Sequence, residues 1–144
     1  MPEIPDLEVL LSDGVVTLRM ASERDIPEIL IAYQDDPQLH SALGRERPPS
    51  GAQLGRASER AGADRASGRG VTLTILESGS DTCRGQLRAE PVDWERGRTE
   101  LEIWLVPHVR GRGYGPRALR LAADWLLGAC GLEAVCSRAS AGAT

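Results

Sequence analysis

The chain has 144 residues and a net charge of −4, enough for one domain with a single core. Its apolar runs are a few residues long, far below the ~20 that cross a membrane. The acidic, proline-containing start MPEIPDLEVLLSDG lacks the features of a signal peptide, so a cytoplasmic protein is expected. The negative balance argues against nucleic acid as a partner and mildly favours cationic or amine-bearing ones.

In chain order, VVTLRM (15–20) alternates as a short strand. Ser22 and Asp25 have capping-box spacing and open a helix to about Gln34, with Ile26, Ile29, Leu30 and Tyr33 on one face. Asp36-Pro37 restarts the chain, a short helical piece runs to Leu43, and RERPPSG (45–51) is a loop. Residues 51–66 suit a surface helix poor in apolar side chains. GVTLTILE (70–77) is a strand with Val71, Leu73 and Ile75 on one face, and SGSD (78–81) turns it into a partner strand from Thr82 to Val92. DWERGR (93–98) turns again, and 99–106 is the next strand.

The glycine-arginine loop RGRGYG (Arg110–Gly115) follows, then a helix over Arg117–Cys130 with Leu119, Ala122, Leu126 and Cys130 inward and Arg117, Arg120 and Asp124 outward. Pro116 fits its first turn and Gly131 its C-terminal cap. LEAVCSRA (132–139) is the last strand. The order β-α-α-β-β-β-α-β, with a meander over 70–106 and a strand-helix-strand over 99–139, predicts an α/β sandwich. Its sheet is mixed and mostly antiparallel, with one parallel pair flanking the last helix. The cysteines, Cys83, Cys130 and Cys136, are odd in number and form no C-x-x-C pair, so reduced packing thiols are expected and no zinc or other metal site.

A loop such as Arg110–Gly115 turns backbone N–H groups toward one point, at the positive end of the helix dipole and beside arginine charges. The ligand expected there is a phosphate or pyrophosphate carried by a cofactor. The string alone is weak evidence, because RASGRG (Arg65–Gly70) has the same R-x-x-G-x-G pattern but precedes a strand and opens no helix. No Walker lysine is present, which excludes a P-loop, and no acidic residue stands where a dinucleotide fingerprint needs one.

With its flanks, TELEIWLVPHVRGRGYGPRALRLAADWLLGACGLEAV resembles the acyl-CoA-binding core of the GNAT N-acetyltransferase superfamily, in the branch of the ribosomal-protein N-terminal acetyltransferases. VVTLRMASERDIPEILIAYQDDP resembles the first strand and helix of that branch. The resemblance implies acyl transfer from acetyl-CoA to a primary amine on a small molecule or a protein N-terminus. It also implies that the N–H groups of Arg110, Gly111, Arg112, Gly113, Tyr114 and Gly115, beside Pro116, hold the coenzyme A pyrophosphate. The backbone of Trp104, Leu105 and Val106 would pair with the pantetheine arm.

Glu100 stands where many members carry a glutamate on this strand, and a carboxylate there can take the proton of the acceptor amine. Glu100, Glu102, Trp104 and Val106 share one strand face, opposite Leu101, Ile103 and Leu105. At Glu102 the family pattern is usually small. Glu100 and Glu102 can also be read as solvated or arginine-paired side chains. His40 and His108 read as exposed histidines, Tyr114 as packing, and Trp94 and Trp104 as core or rim with an acceptor-site role as the alternative.

The resemblance further implies a loop with an asparagine, a helix and two more strands after residue 139, whereas SAGAT (140–144) ends the sequence and it holds no asparagine. The expectation is a single domain over 1–144, short after its fifth strand. Either it is a truncated form, or the edge at 132–139 is covered by a second chain in a homodimer; the alternative to acyl transfer is a coenzyme A-binding remnant with little or no catalysis.

Overall fold

The computed structural model describes residues 4–5 and 10–137. The elements are β1 (Leu11–Ser12), β2 (Val16–Met20), α1 (Ile26–Asp35), α2 (Leu39–Ala42), α3 (Gly51–Ser67), β3 (Val71–Glu77), β4 (Gly85–Ala89), β5 (Arg98–Leu105), α4 (Tyr114–Gly128) and β6 (Ala134–Ser137), with single 3-10 turns at Glu23–Asp25 and Pro107–Val109. The strands form one sheet in the order β1-β2-β3-β4-β5-β6. All pairs are antiparallel except β5–β6, which is parallel, with Arg98 opposite Ala134 and Leu101 opposite Ser137. This is the mixed α/β architecture expected, with the parallel pair joined through α4.

Strand alternation divides the sheet into two faces. Leu18, Leu73, Ile75, Leu87, Leu101, Ile103 and Leu105 form the main core on one of them. There α4 presents Ala118, Ala122, Trp125 and Leu126. Two fully buried alanines allow its backbone to approach the sheet closely. Each of the large aliphatic side chains contributes about 1.5–3 kcal/mol by leaving water. On the opposite face a smaller cluster joins Ile29, Ala32 and Tyr33 of α1, Leu39 of α2, Cys83 and Trp104. In α3 no residue is buried, as its polar sequence predicts.

The start of α1 is more elaborate than a cap. Ser22 Oγ accepts from the Arg24 N–H, and the Ser22 N–H donates to Asp25 Oδ2. The same carboxylate is buried, and it receives Arg19 Nη1 and Nη2 at 3.1 and 2.7 Å and the Thr74 hydroxyl at 2.7 Å. Arg19 Nε donates outward to Asp81 at 2.8 Å. One network thus ties β2, β3 and the entry to α1.

Several boundaries differ from those expected. Strand β1 is additional: the Asp13 carboxylate accepts the N–H groups of Val15 and Val16, Gly14 takes φ 90°, and the chain doubles back as a hairpin. The expected strand from Thr82 to Val92 is confined to Gly85–Ala89, because Ser80 Oγ accepts the Thr82 N–H and keeps that segment a turn. Gly85 is required by a close approach, since a Cβ there would fall on the Trp104 carbonyl oxygen.

Helix α4 begins at Tyr114, three residues before Arg117. Its buried stripe runs through Ala118, Ala122 and Trp125, leaving Leu119 and Cys130 half-buried at its edge. Cys136 is exposed on β6 and does not pack, unlike Cys83. Residues 138–144, where the end of the 132–139 strand and the missing asparagine were expected, lie outside the described residues.

Candidate functional site

The sequence places three glycines in the loop, and two of them take a backbone conformation that needs glycine. Gly111 has φ 77° and Gly113 has φ 79°, the left-handed region that disfavours a side chain. Gly113 is the N-cap of α4 and offers no side-chain cap. The first bond into the helix is from the Arg117 N–H to the Gly113 carbonyl at 3.3 Å. The N–H groups of Tyr114 and Gly115 therefore have no helical acceptor, and Pro116 has no N–H to satisfy. A Cβ added at Gly111 or Gly113 would meet nothing within 4 Å, so the space before the helix is open. A fifteen-residue helix ends there uncapped, at its positive pole. Such a loop fits an anion of phosphate type.

The three arginines around the loop do different work. Arg112 is exposed. Arg117 is held at 3.0 Å by Asp13 from the β1–β2 hairpin. Arg110 is half-buried and its guanidinium is turned toward the protein. Its Nη2 donates to Asp36 Oδ2 at 2.6 Å, and its Nε to the Leu105 carbonyl at 3.0 Å. The expected charge of Arg110 at the anion is thus directed inward. Asp36 is the C-cap of α1, and the Arg110 guanidinium holds its carboxyl below the usual carboxylate range despite partial burial.

Strand β5 supplies the second half of the site. The Val106 N–H donates to the Arg84 carbonyl at 2.9 Å, so by antiparallel alternation the polar groups of Leu105 face away from β4. The described β5–β6 register ends at Leu101 and Ser137. Beyond it Trp104, Leu105 and Val106 run on toward the loop. The structure therefore brings all the expected donor-side residues, 104–106 and 110–116, to one end of the sheet.

The copy at Arg65–Gly70 has the opposite polarity. Gly68 is the left-handed C-cap of α3, and its N–H and that of Arg69 donate back to Arg65 and Asp64 carbonyls. A helix C-terminus presents carbonyl oxygens, which repel an anion. Trp94 closes this corner by donating Nε1 to the Gly68 carbonyl at 2.7 Å, so it does not line an acceptor site.

Between α1, α3 and the sheet lies a cleft of about 290 Å³. Its floor is the polar face of β3–β5, with Thr72, Gln86 and Arg88 beside Glu102 and Trp104. Trp104 is almost buried and packs against Tyr33 with ring centroids 6.4 Å apart. Burial raises the Tyr33 hydroxyl above its ordinary pKa, which keeps it a neutral donor. Sequence reasoning assigned Tyr33 only to a helix face; no motif marks it as a cleft residue.

Glu102 lines this cleft, whereas Glu100 is exposed one pleat away and does not. Arg88 Nη2 reaches Glu102 at 3.3 Å across the β4–β5 pair, and its Nε lies 3.7 Å from Glu90. His108 is exposed and Tyr114 is packed in the main core, both as expected.

A family model described as an acetyltransferase (GNAT) domain matches residues 16–142, and the chain belongs to that family. It is an N-acetyltransferase of that class. Its fold is similar to that of a ribosomal-protein-S5-alanine acetyltransferase from Vibrio fischeri, with TM-score 0.75 and 12% identity over 90% of this chain and 73% of that one. A spermidine N-acetyltransferase from Vibrio cholerae in complex with CoA and spermine matches with TM-score 0.70 and 15% identity, over 85% of this chain and 70% of that one. An enzyme from Salmonella typhimurium that modifies the N-terminal serine of ribosomal protein L7/L12 matches with TM-score 0.70 and 13% identity, over 81% and 66%. No curated protein sequence matches the chain. Among the described residues no helix is long and apolar enough to cross a membrane.

Proposed function

We propose that the domain moves an acetyl group from acetyl-CoA to a primary amine that enters the cleft beneath α1 and α3. The observation that carries this is the uncapped N-terminus of α4. Its left-handed Gly111 and Gly113 face open space, directly beyond the end of β5. The N–H groups from Arg110 to Gly115 would hold the pyrophosphate of the donor, and the backbone of Trp104 to Val106 its extended arm. The donor supplies a thioester carbonyl. The neutral amine forms the new C–N bond as the C–S bond breaks, and the displaced thiolate leaves with a proton.

An alkylamine is protonated at neutral pH and must first lose a proton. Glu100 is the carboxylate the family resemblance implies for this step. It shares a strand face with Glu102, roughly 7 Å along the chain by strand geometry, so one water chain can serve both. The cleft is lined by Arg45, Arg60 and Arg88 and by Asp64, Glu90 and Glu102. Its balanced charge supports an acceptor with one reacting amine, a small molecule or a protein N-terminus, over a polycation.

Thermal shift with CoA and acetyl-CoA, followed by thiol release over a panel of amines, tests the proposal. Stabilisation by CoA together with release for at least one acceptor is expected. Failure of every acceptor to release thiol despite CoA binding would refute the transferase reading.

A further inference from the structure

One side chain ties the loop to the helix that walls the cleft. Arg110 begins the loop, yet its guanidinium bridges two other elements, the end of α1 through Asp36 at 2.6 Å and the end of β5 through the Leu105 carbonyl at 3.0 Å. The side chains of Arg110 and Asp36 are 25% and 15% exposed, so the pair is shielded enough for its geometry to matter. Asp36 also accepts the Gln38 N–H on Oδ1 at 3.2 Å, which fixes the carboxylate to the turn between α1 and α2. Helix α1 is at the same time a wall of the cleft, through Ile26, Ile29 and Tyr33.

We propose that Asp36 is a positioning residue for the donor loop. Held by the α1–α2 corner, it fixes the Arg110 guanidinium, and Arg110 fixes both the start of the loop and the Leu105 carbonyl at the end of β5. The acceptor wall and the donor loop are then linked by two residues 74 positions apart in sequence. Arg110 acts here as a strut between the loop, the end of α1 and the end of β5. An acceptor that shifts α1 changes donor affinity through this link, and donor binding changes acceptor affinity by the same factor. The inference rests on the loop being the coenzyme A site.

The test uses the full chain and CoA itself as probe. Asp36→Asn keeps the oxygen that caps Gln38 and removes the charge that holds Arg110. Directly contacting residues couple strongly, and the expected result is a roughly tenfold rise in the Kd for CoA by calorimetry with a melting temperature within a few degrees of wild type. Arg110→Met should weaken CoA similarly, and Asp36→Asn added to it should change the Kd no further. A merely structural pair gives the reverse, a lower melting temperature with the CoA Kd within twofold of wild type, and overturns the proposal. So do additive effects in the double variant. If wild-type protein does not bind CoA, the assignment of the loop itself fails.

Discussion

Asp25 stays ionised in a buried position because four donors converge on it: two from Arg19, the Ser22 N–H and the Thr74 hydroxyl. Burial alone pushes its carboxyl up, but the hydrogen bonds of Arg19 and Thr74 outweigh that and hold it below the usual range. Removing one member of such a pair leaves the other charge stranded. Asp25→Ala is therefore expected to lose about 3 kcal/mol or more in urea unfolding. Asp81→Ala, at the exposed end of the same guanidinium, should lose under about 1 kcal/mol; equal losses would contradict the network.

Glu100 is the second residue whose role can be weighed. Glu100→Gln should lower kcat/KM by about 10²-fold or more and flatten the acidic limb of its pH profile, if this carboxylate takes the amine proton. Glu102→Gln serves as the comparison. A loss confined to Glu102→Gln would move the base to the cleft wall. The sequence ranks Glu100 first by resemblance. It cannot show that Arg88 and the cleft lie beside Glu102, because that depends on strand pairing 14 residues apart.

At the scale of elements, two glycines separate binding from folding. Gly113 adopts a left-handed φ but a Cβ there meets open space. Gly113→Ala should destabilise by only about 1–2 kcal/mol, while weakening CoA disproportionately, because the same backbone turn aims the loop N–H groups. A Cβ at Gly85 meets the Trp104 carbonyl, a backbone group that cannot rotate away. Gly85→Ala should cost about 3 kcal/mol of stability, at the upper end of overpacking effects. Equal ratios of affinity loss to stability loss in the two variants would reject the distinction.

Elements with a clear period were legible. β3 and β5 alternate, the turn leading into α1 has its capping box, and the loop sits between strand and helix. The missed pieces have local causes. Asp13-Gly14 is a hairpin signal, but a two-residue strand such as β1 has no period to detect. Tyr114 and Gly115 look like loop until Gly113 is known to be the left-handed N-cap, which starts α4 three residues earlier. The sense of RASGRG was legible only by context, and its physical difference from RGRGYG is the end of the helix it occupies. The Arg110–Asp36 link carries no local signal, since an arginine in a loop and an aspartate before a proline each have ordinary explanations.

For the whole molecule, the shifted groups set a pH range of stability with two limbs of known sign. On the acid side, Asp13, Asp25 and Asp36 are all held below their ordinary range. Asp13 falls to about 2, chiefly through the N–H groups of Val16 and Val15, and Asp36 through Arg110. Between those folded values and the unfolded pKa near ~3.9, the unfolded chain binds more protons than the folded one, so stability falls as pH falls. On the alkaline side, burial pushes the Cys83 thiol up to about 12 and the Cys130 thiol to about 11. The unfolded chain then loses thiol protons above about 8.5 that the folded one keeps. Their contribution is complete below that pH and is lost as pH rises toward 11–12. Urea midpoints should be level from about pH 5.5 to 8 and fall on both sides. Salt should soften the part of the acid limb carried by the partly exposed Asp13–Arg117 pair and leave the buried Asp25 part in place. Cys83→Ala should flatten the alkaline limb without moving the acid one. A midpoint unchanged down to pH 3 would show that these carboxylates have the same affinity for protons folded and unfolded, and that the hydrogen bonds to Asp13, Asp25 and Asp36 do not persist in solution.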